Sequence, residues 1–264
     1  MRESNIHTVG VRQPPDEAVP TAGERIHQRN LITLAGCLFA AFTLMAYGQA
    51  TNNRPAKLPA AKAVGGAYAP VEDVPGLPQV LLIGDSISEG YTVPVRNLLK
   101  GKANVHRIPE NGGPTTNGLA NLSQWLKAGK WAVIHFNWGL HDLKIMKDGT
   151  RQVSPADYEA NLSSLVSQLQ LTGAKLIWAT TTPVPAEDVK LKVKRHAADV
   201  PVYNSIAKSI MDERHIVIDD VYSLALPQLS EIQMPADVHY TTRGYQVLGN
   251  QVAACIESAL SKRP

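Results

Sequence analysis

Serine, histidine and aspartate stand in this sequence where acyl chemistry would need them. Ser86 follows Gly84-Asp85 directly after the apolar run Val80 to Ile83, and His239 follows Asp237 by two residues far along the chain. A serine hydroxyl is a weak nucleophile at its free pKa. It needs a general base within hydrogen-bond reach and donors aimed at the oxyanion that develops on the attacked carbonyl. His239 is of the right type for the base and Asp237 for the group that orients its ring. Glycine at 112 or 113 lets a backbone N–H approach a substrate, since no side chain intervenes. His141 and Asn137 offer side-chain donors.

Each of these residues follows a segment that reads as a strand. Short apolar runs predict strands at Val80 to Ile83, Val105 to Ile108, Ala132 to Asn137, Lys175 to Ala179 and Ile216 to Asp219. Amphipathic segments between and after them predict helices near Val93 to Leu99, Thr116 to Ala128, Pro155 to Leu171, Val200 to Glu213 and Thr242 to Ala259. In the third of these, Ser154 is an N-cap before Pro155, and Tyr158, Leu162, Leu165, Val166 and Leu169 recur on one face. Gly173 closes it. Alternating strands and helices imply a parallel sheet covered on both faces, a single three-layer α/β/α domain. In such a sheet the ligand crevice lies at the carboxyl ends of the strands, which is where Ser86 falls.

Taken in order, Gly84-Asp85-Ser86-Ile87-Ser88, Asn111-Gly112-Gly113, Gly139-Leu140-His141-Asp142 and Asp237-Val238-His239 resemble the four blocks of the SGNH hydrolases, also called Gly-Asp-Ser-Leu esterases and lipases. The resemblance covers about Gln79 to Leu260. It implies a flavodoxin-like five-stranded sheet, Ser86 as nucleophile, and chemistry that needs no cofactor. It also implies an oxyanion held by the backbone N–H of Ser86 and that of Gly113, with Gly112 as the alternative. Two departures stand out. His141 occupies the place of the oxyanion-hole asparagine of the third block, and Asn137 is the alternative donor. The family's last block is Asp-x-x-His, whereas here Ala236 stands three before His239 and the carboxylate, Asp237, only two before. His239 would then work either with Asp237 or as a dyad supported by a backbone carbonyl.

The function expected from the resemblance is an exported serine esterase acting on short acyl esters, O-acetyl groups on carbohydrate in particular. The alternatives are a lysophospholipase or thioesterase acting on lipid esters, an acyl transferase, and a non-catalytic glycan-binding module. Partners would be a small-molecule or glycan ester.

The remaining features are less chemical. His135 lies inside a strand and reads as a core histidine, and Trp138 as either a core residue or a platform for a sugar ring. His135, Asn137, His141 and Asp142 do not make a zinc spacing, so no metal is expected. Thr180 to Pro185 is expected to wall the cleft. The alternating stretch Lys190 to Arg195 reads as a solvated face, and with Lys plus Arg at 26 against Asp plus Glu at 23 the chain has no basic stripe for nucleic acid.

Before the domain, Arg25, His27 and Arg29 precede the apolar stretch Leu31 to Tyr47, which ends in small residues, the layout of a secretory signal. An uncleaved membrane anchor is the alternative, and only then would a membrane be a partner. The expected organisation is a disordered N-terminus and signal over 1–50, a Pro- and Ala-rich linker over 51–77, and the hydrolase domain over 78–264. Of two cysteines, Cys37 falls in the signal and Cys255 at an apolar helical position, so no disulfide framework is expected and Cys255 reads as a core thiol.

Overall fold

Val80, Leu82 and Ile83 are fully buried because β1 (Gln79–Ile83) runs through the middle of a parallel sheet covered on both faces. The computed structural model describes residues 66–186 and 193–261. β2 (Asn104–Arg107) lies on one side of β1 and β3 (Val133–Phe136) on the other. β4 (Lys175–Ala179) and β5 (Val217–Asp219) extend the sheet to the order β2-β1-β3-β4-β5. Every pairing is parallel, and Val80 is in register with Val105 on one neighbour and Val133 on the other. All five strands lie within one residue of the spans expected from the apolar runs. The strand order reverses direction between β1 and β3, so their carboxyl ends diverge into a crevice there.

The helices are α1 (Ser86–Leu98), α2 (Thr115–Leu126), α3 (Pro155–Gln170), α4 (Asp199–Glu213), α5 (Val221–Ala225), α6 (Leu229–Ile232) and α7 (Thr242–Ser261). α2 and α4 both pack on α3, while α1 and α7 pack on each other, with α7 also lying along β3, β4 and β5. In α3 the Ser154 hydroxyl accepts the Asp157 N–H at 3.2 Å, and the five apolar residues of the expected face are the ones buried. α5 and α6 occupy a stretch to which the periodicity assigned nothing.

The first helix departs most from expectation. It begins at Ser86 and not at Val93, because Asp85 caps it by accepting the Ile87 N–H at 2.9 Å. Gly90 and Pro94 look like helix breakers in the sequence, yet both lie inside α1 where it meets α7. A Cβ at Gly90 would stand 2.0 Å from the Tyr245 ring, and one at Gly249 would stand 2.6 Å from Pro94. The two helices approach too closely for larger residues, so packing overrides local propensity.

Two further expectations change, and one open alternative is decided. Residues 66–77, part of the expected linker, lie along the domain: Val74 exchanges two 3.0 Å hydrogen bonds with the Asn104 side chain, and Asp73 meets His106 at 2.7 Å. The signal segment, the remaining linker and Cys37 fall outside the described residues. Trp138 is 1% exposed, which decides between its two readings for the core, and Thr180, Thr181 and Thr182 are likewise buried and form no open wall. His135 is buried, with Nε2 at 3.0 Å from Asp219, whose other oxygen accepts from Gln251 of α7. Cys255 is half-buried against the core.

Candidate active site

The turn after β1 is held by its own carbonyl. Gly84 O accepts the Gly112 N–H at 3.0 Å and Arg107 Nη2 at 3.1 Å, which ties the first loop to the second. A Cβ at Gly112 would stand 2.9 Å from that oxygen, so only glycine fits. Because Asp85 is the N-cap, Ser86 is the first residue of α1. Its backbone N–H has no acceptor among the described residues, at the end of the helix where the dipole favours negative charge.

Arg107 was not singled out by motif. It is 9% exposed, and its guanidinium also donates to the hydroxyls of Ser88 at 2.9 Å and Thr92 at 3.3 Å and to the carbonyls of Ile108 and Glu110. Glu89, 3.8 Å away, offsets the charge. The signal in the sequence is a guanidinium inside the apolar run Val105 to Ile108, a position that demands hydrogen-bond partners for a buried charge.

The loop from Gln233 to Tyr240 carries the candidate base, His239. An antiparallel bridge joins its ends, Met234 N–H donates to His239 O at 2.9 Å, and Asp237 N–H donates to Met234 O at 3.2 Å. Ala236 takes a left-handed backbone with φ of 53°, which costs a non-glycine residue about 1–2 kcal/mol. Beyond that turn Asp237 Oδ1 lies 2.6 Å from His239 Nδ1, and His239 Nε2 lies 2.8 Å from Ser86 Oγ. A carboxylate on Nδ1 holds the proton there and leaves the Nε2 lone pair for the serine hydroxyl. Burial alone would raise the Asp237 pKa, but the His239 N–H and ring outweigh it and hold the carboxyl below its ordinary value. The carboxylate two residues before the histidine therefore reaches the ring.

The expected oxyanion donors differ in what they already bind. Asn137 spends its amide hydrogens on Ala179 O at 2.8 Å and Thr181 Oγ1 at 3.3 Å. The N–H of Gly112 is taken by Gly84 O, and that of Gly113 by the Asn111 side chain at 3.0 Å. His141 is placed differently. Lys144 Nζ lies 2.9 Å from its Nδ1, and an ammonium can only donate, so the imidazole proton sits on Nε2. Nε2 is 4.0 Å from the nearest Asp85 oxygen, beyond hydrogen-bond reach. Burial lowers the His141 pKa, and Lys144 and Arg195 add to the effect against the opposing pull of Asp85. The ring is held neutral with one N–H to offer.

Ser86, His141, Lys144, Arg195, Asp237 and His239 line one cavity of about 370 Å³. A candidate nucleophile, a candidate base with a carboxylate on its ring, and open donors thus converge on one space.

The model of the GDSL-like lipase/acylhydrolase family matches residues 82–247. The chain belongs to that family. No curated protein matches the chain by sequence. Among solved structures it is similar to a lipase/acylhydrolase from Enterococcus faecalis, at 19% identity and a TM-score of 0.60, covering 71% of this chain and 100% of that one. It is also similar to an acetylxylan esterase from Geobacillus stearothermophilus, at 18% identity and a TM-score of 0.55, covering 70% and 95%. A further acetyl xylan esterase matches at 16% identity and a TM-score of 0.58, covering 67% and 99%. The five-stranded parallel sheet is the fold of these hydrolases.

In this acylhydrolase the third block does structural work as well. Asp142 is fully buried and accepts both the N–H and the hydroxyl of Thr115, at 2.8 and 2.5 Å, which fastens the third loop to the start of α2. Burial pushes its pKa up to about 6 against those hydrogen bonds. Arg195 also departs from expectation. The stretch Lys190 to Arg195 reads as solvated, and its first residues fall outside the described ones, but Arg195 itself is 8% exposed and turns into the GDSL-like site.

Proposed function

We propose that this acylhydrolase is an exported serine esterase that removes short acyl groups, acetyl above all, from carbohydrate esters. The observation that carries the mechanism is the hydrogen-bonded chain Asp237–His239–Ser86 at the edge of an open cavity. Ser86 Oγ attacks the ester carbonyl carbon while His239 Nε2 takes its proton. The resulting oxyanion is held by the Ser86 N–H and His141 Nε2–H, and by the Gly113 N–H once Asn111 yields it. Collapse of the intermediate breaks the bond to the alcohol, which leaves with the proton from His239. Water then attacks the acyl-enzyme, gives its proton to His239, and releases the acid and free Ser86.

Short acyl groups are favoured because the cavity's apolar lining is limited to Val193, Ala236 and Val238, with no long apolar channel among the described residues. A carbohydrate ester is supported by the likeness to two acetylxylan esterases, and export by the basic-flanked apolar stretch Leu31 to Tyr47. The test is hydrolysis of p-nitrophenyl acetate, butyrate and octanoate, and acetate release from acetylated xylan, by the protein beside Ser86→Ala and His239→Ala. Rates that fall with chain length and drop by about 10⁴ or more in both variants are expected. Preference for octanoate would transfer the assignment to lipid esters, and rates equal in all three proteins would remove it.

A further inference from the structure

Arg195 is the least conventional group in the cavity. Its side chain is nine-tenths buried, its Nε donates to Leu140 O at 2.8 Å and its Nη1 to Val193 O at 3.4 Å, while Nη2 has no hydrogen bond among the described residues. Neither Arg195 nor Lys144 has a carboxylate within 4.0 Å among the described residues. Elsewhere Arg151 grips Asp199 with two nitrogens, at 2.7 and 3.1 Å, and Arg107 has Glu89 beside it. The acids facing the pair are already engaged. Asp237 is bonded to His239, and Asp85 caps α1. Lys144 itself is spent on a neutral imidazole. Two cations thus line the cavity together, and the more buried one has hydrogens left to donate into it, where an anion would meet them.

We propose that Arg195 and Lys144 form an anion subsite within this cavity, so that the ester acted on carries a carboxylate near its scissile bond, as on an acidic sugar. The inference rests on the esterase reading above and narrows its substrate class. A guanidinium with open hydrogens is suited to a carboxylate, and the ammonium beside it adds attraction without demanding direction. The attraction acts in a partly enclosed space, where charge selects strongly between substrates of equal size.

The competing account is that Arg195 only braces the third loop through Leu140 O. The two separate on substrate charge. The full chain is given O-acetylated glucuronic acid and, in parallel, the methyl ester of the same acetylated sugar, which replaces the charge with a methyl group, and release of acetate alone is followed. The expected result is a kcat/KM about tenfold higher for the free acid, a ratio that shrinks towards one in Arg195→Gln and falls in Lys144→Gln, where the Arg195 brace is intact. A brace would lower both rates together and leave the ratio alone. Equal kcat/KM for the two sugars in the wild type, or a ratio unchanged by Arg195→Gln, overturns the proposal. Should neither sugar ester turn over, glucuronate and its methyl ester are compared as inhibitors of p-nitrophenyl acetate hydrolysis, and equal inhibition overturns it likewise. Hydrolysis of p-nitrophenyl acetate that depends on Ser86 tests the esterase reading on its own.

Discussion

One oxygen of Asp237 holds His239 twice, accepting its backbone N–H at 3.1 Å and lying 2.6 Å from its ring Nδ1. The ring and the backbone beneath it are therefore fixed by a single atom, although the carboxylate sits one position nearer than in the family pattern. An amide in its place would offer either an oxygen or an NH₂ to that point but no charge. Asp237→Asn is expected to lower kcat by about 10²–10⁴ with little change in KM, measured by steady-state hydrolysis of p-nitrophenyl acetate. A variant with wild-type kcat would show that the ring is oriented by other groups.

His141 is expected to act as a neutral donor. Removing one oxyanion donor costs about 10²–10³ in kcat, so His141→Ala should fall by that much, and His141→Asn, which restores the family residue, should recover part of the loss. Lys144→Met removes one of the cations that keep the ring uncharged. The His141 titration, followed by NMR, should then move to higher pH.

Asp142 gives stability a pH slope with a definite sign. Its folded-state pKa, about 6, lies above the usual 3.8, so between those values the folded chain binds more protons than the unfolded one. Stability from this group is full below about 4, is lost as pH rises through 6, and amounts to on the order of 2–3 kcal/mol. Asp142→Asn keeps an acceptor for Thr115 and removes the titration. Urea midpoints measured from pH 4 to 7 should lose that part of their fall, and a slope identical to wild type would refute the assignment.

Arg107 supports the nucleophile turn through Gly84 O and satisfies several buried oxygens besides. Arg107→Leu is expected to destabilise by about 3 kcal/mol or more, read from the denaturation midpoint. Arg107→Lys should recover little, since an ammonium cannot span the carbonyls of Gly84 and Ile108 and the hydroxyl of Ser88 at once.

The sheet was legible because burial on both faces writes each strand as an apolar run, and the Ser86 and His239 blocks were legible because turn residues follow or surround them. What local sequence could not show was decided by distant partners. The first turns of α1 were hidden by Gly90 and Pro94, whose fit depends on Tyr245 and Gly249 more than 150 residues away. Asn137 follows its strand as an oxyanion donor would, but Ala179 and Thr181, distant in sequence, take its amide hydrogens. Arg195 lies at the end of a basic run, and nothing local in the sequence marks it as turning inward.

Ser86 opens α1, and His239 comes three residues before α7, 153 positions later. The close approach of those helices at Gly90 and Gly249 is one of the contacts that bring serine and histidine together. On the proposed mechanism, a chain emerging from the ribosome presents Ser86 long before His239, the base that would activate it, has been made. On that mechanism the serine–histidine pair is complete only once residues 153 positions apart have both been made and folded together.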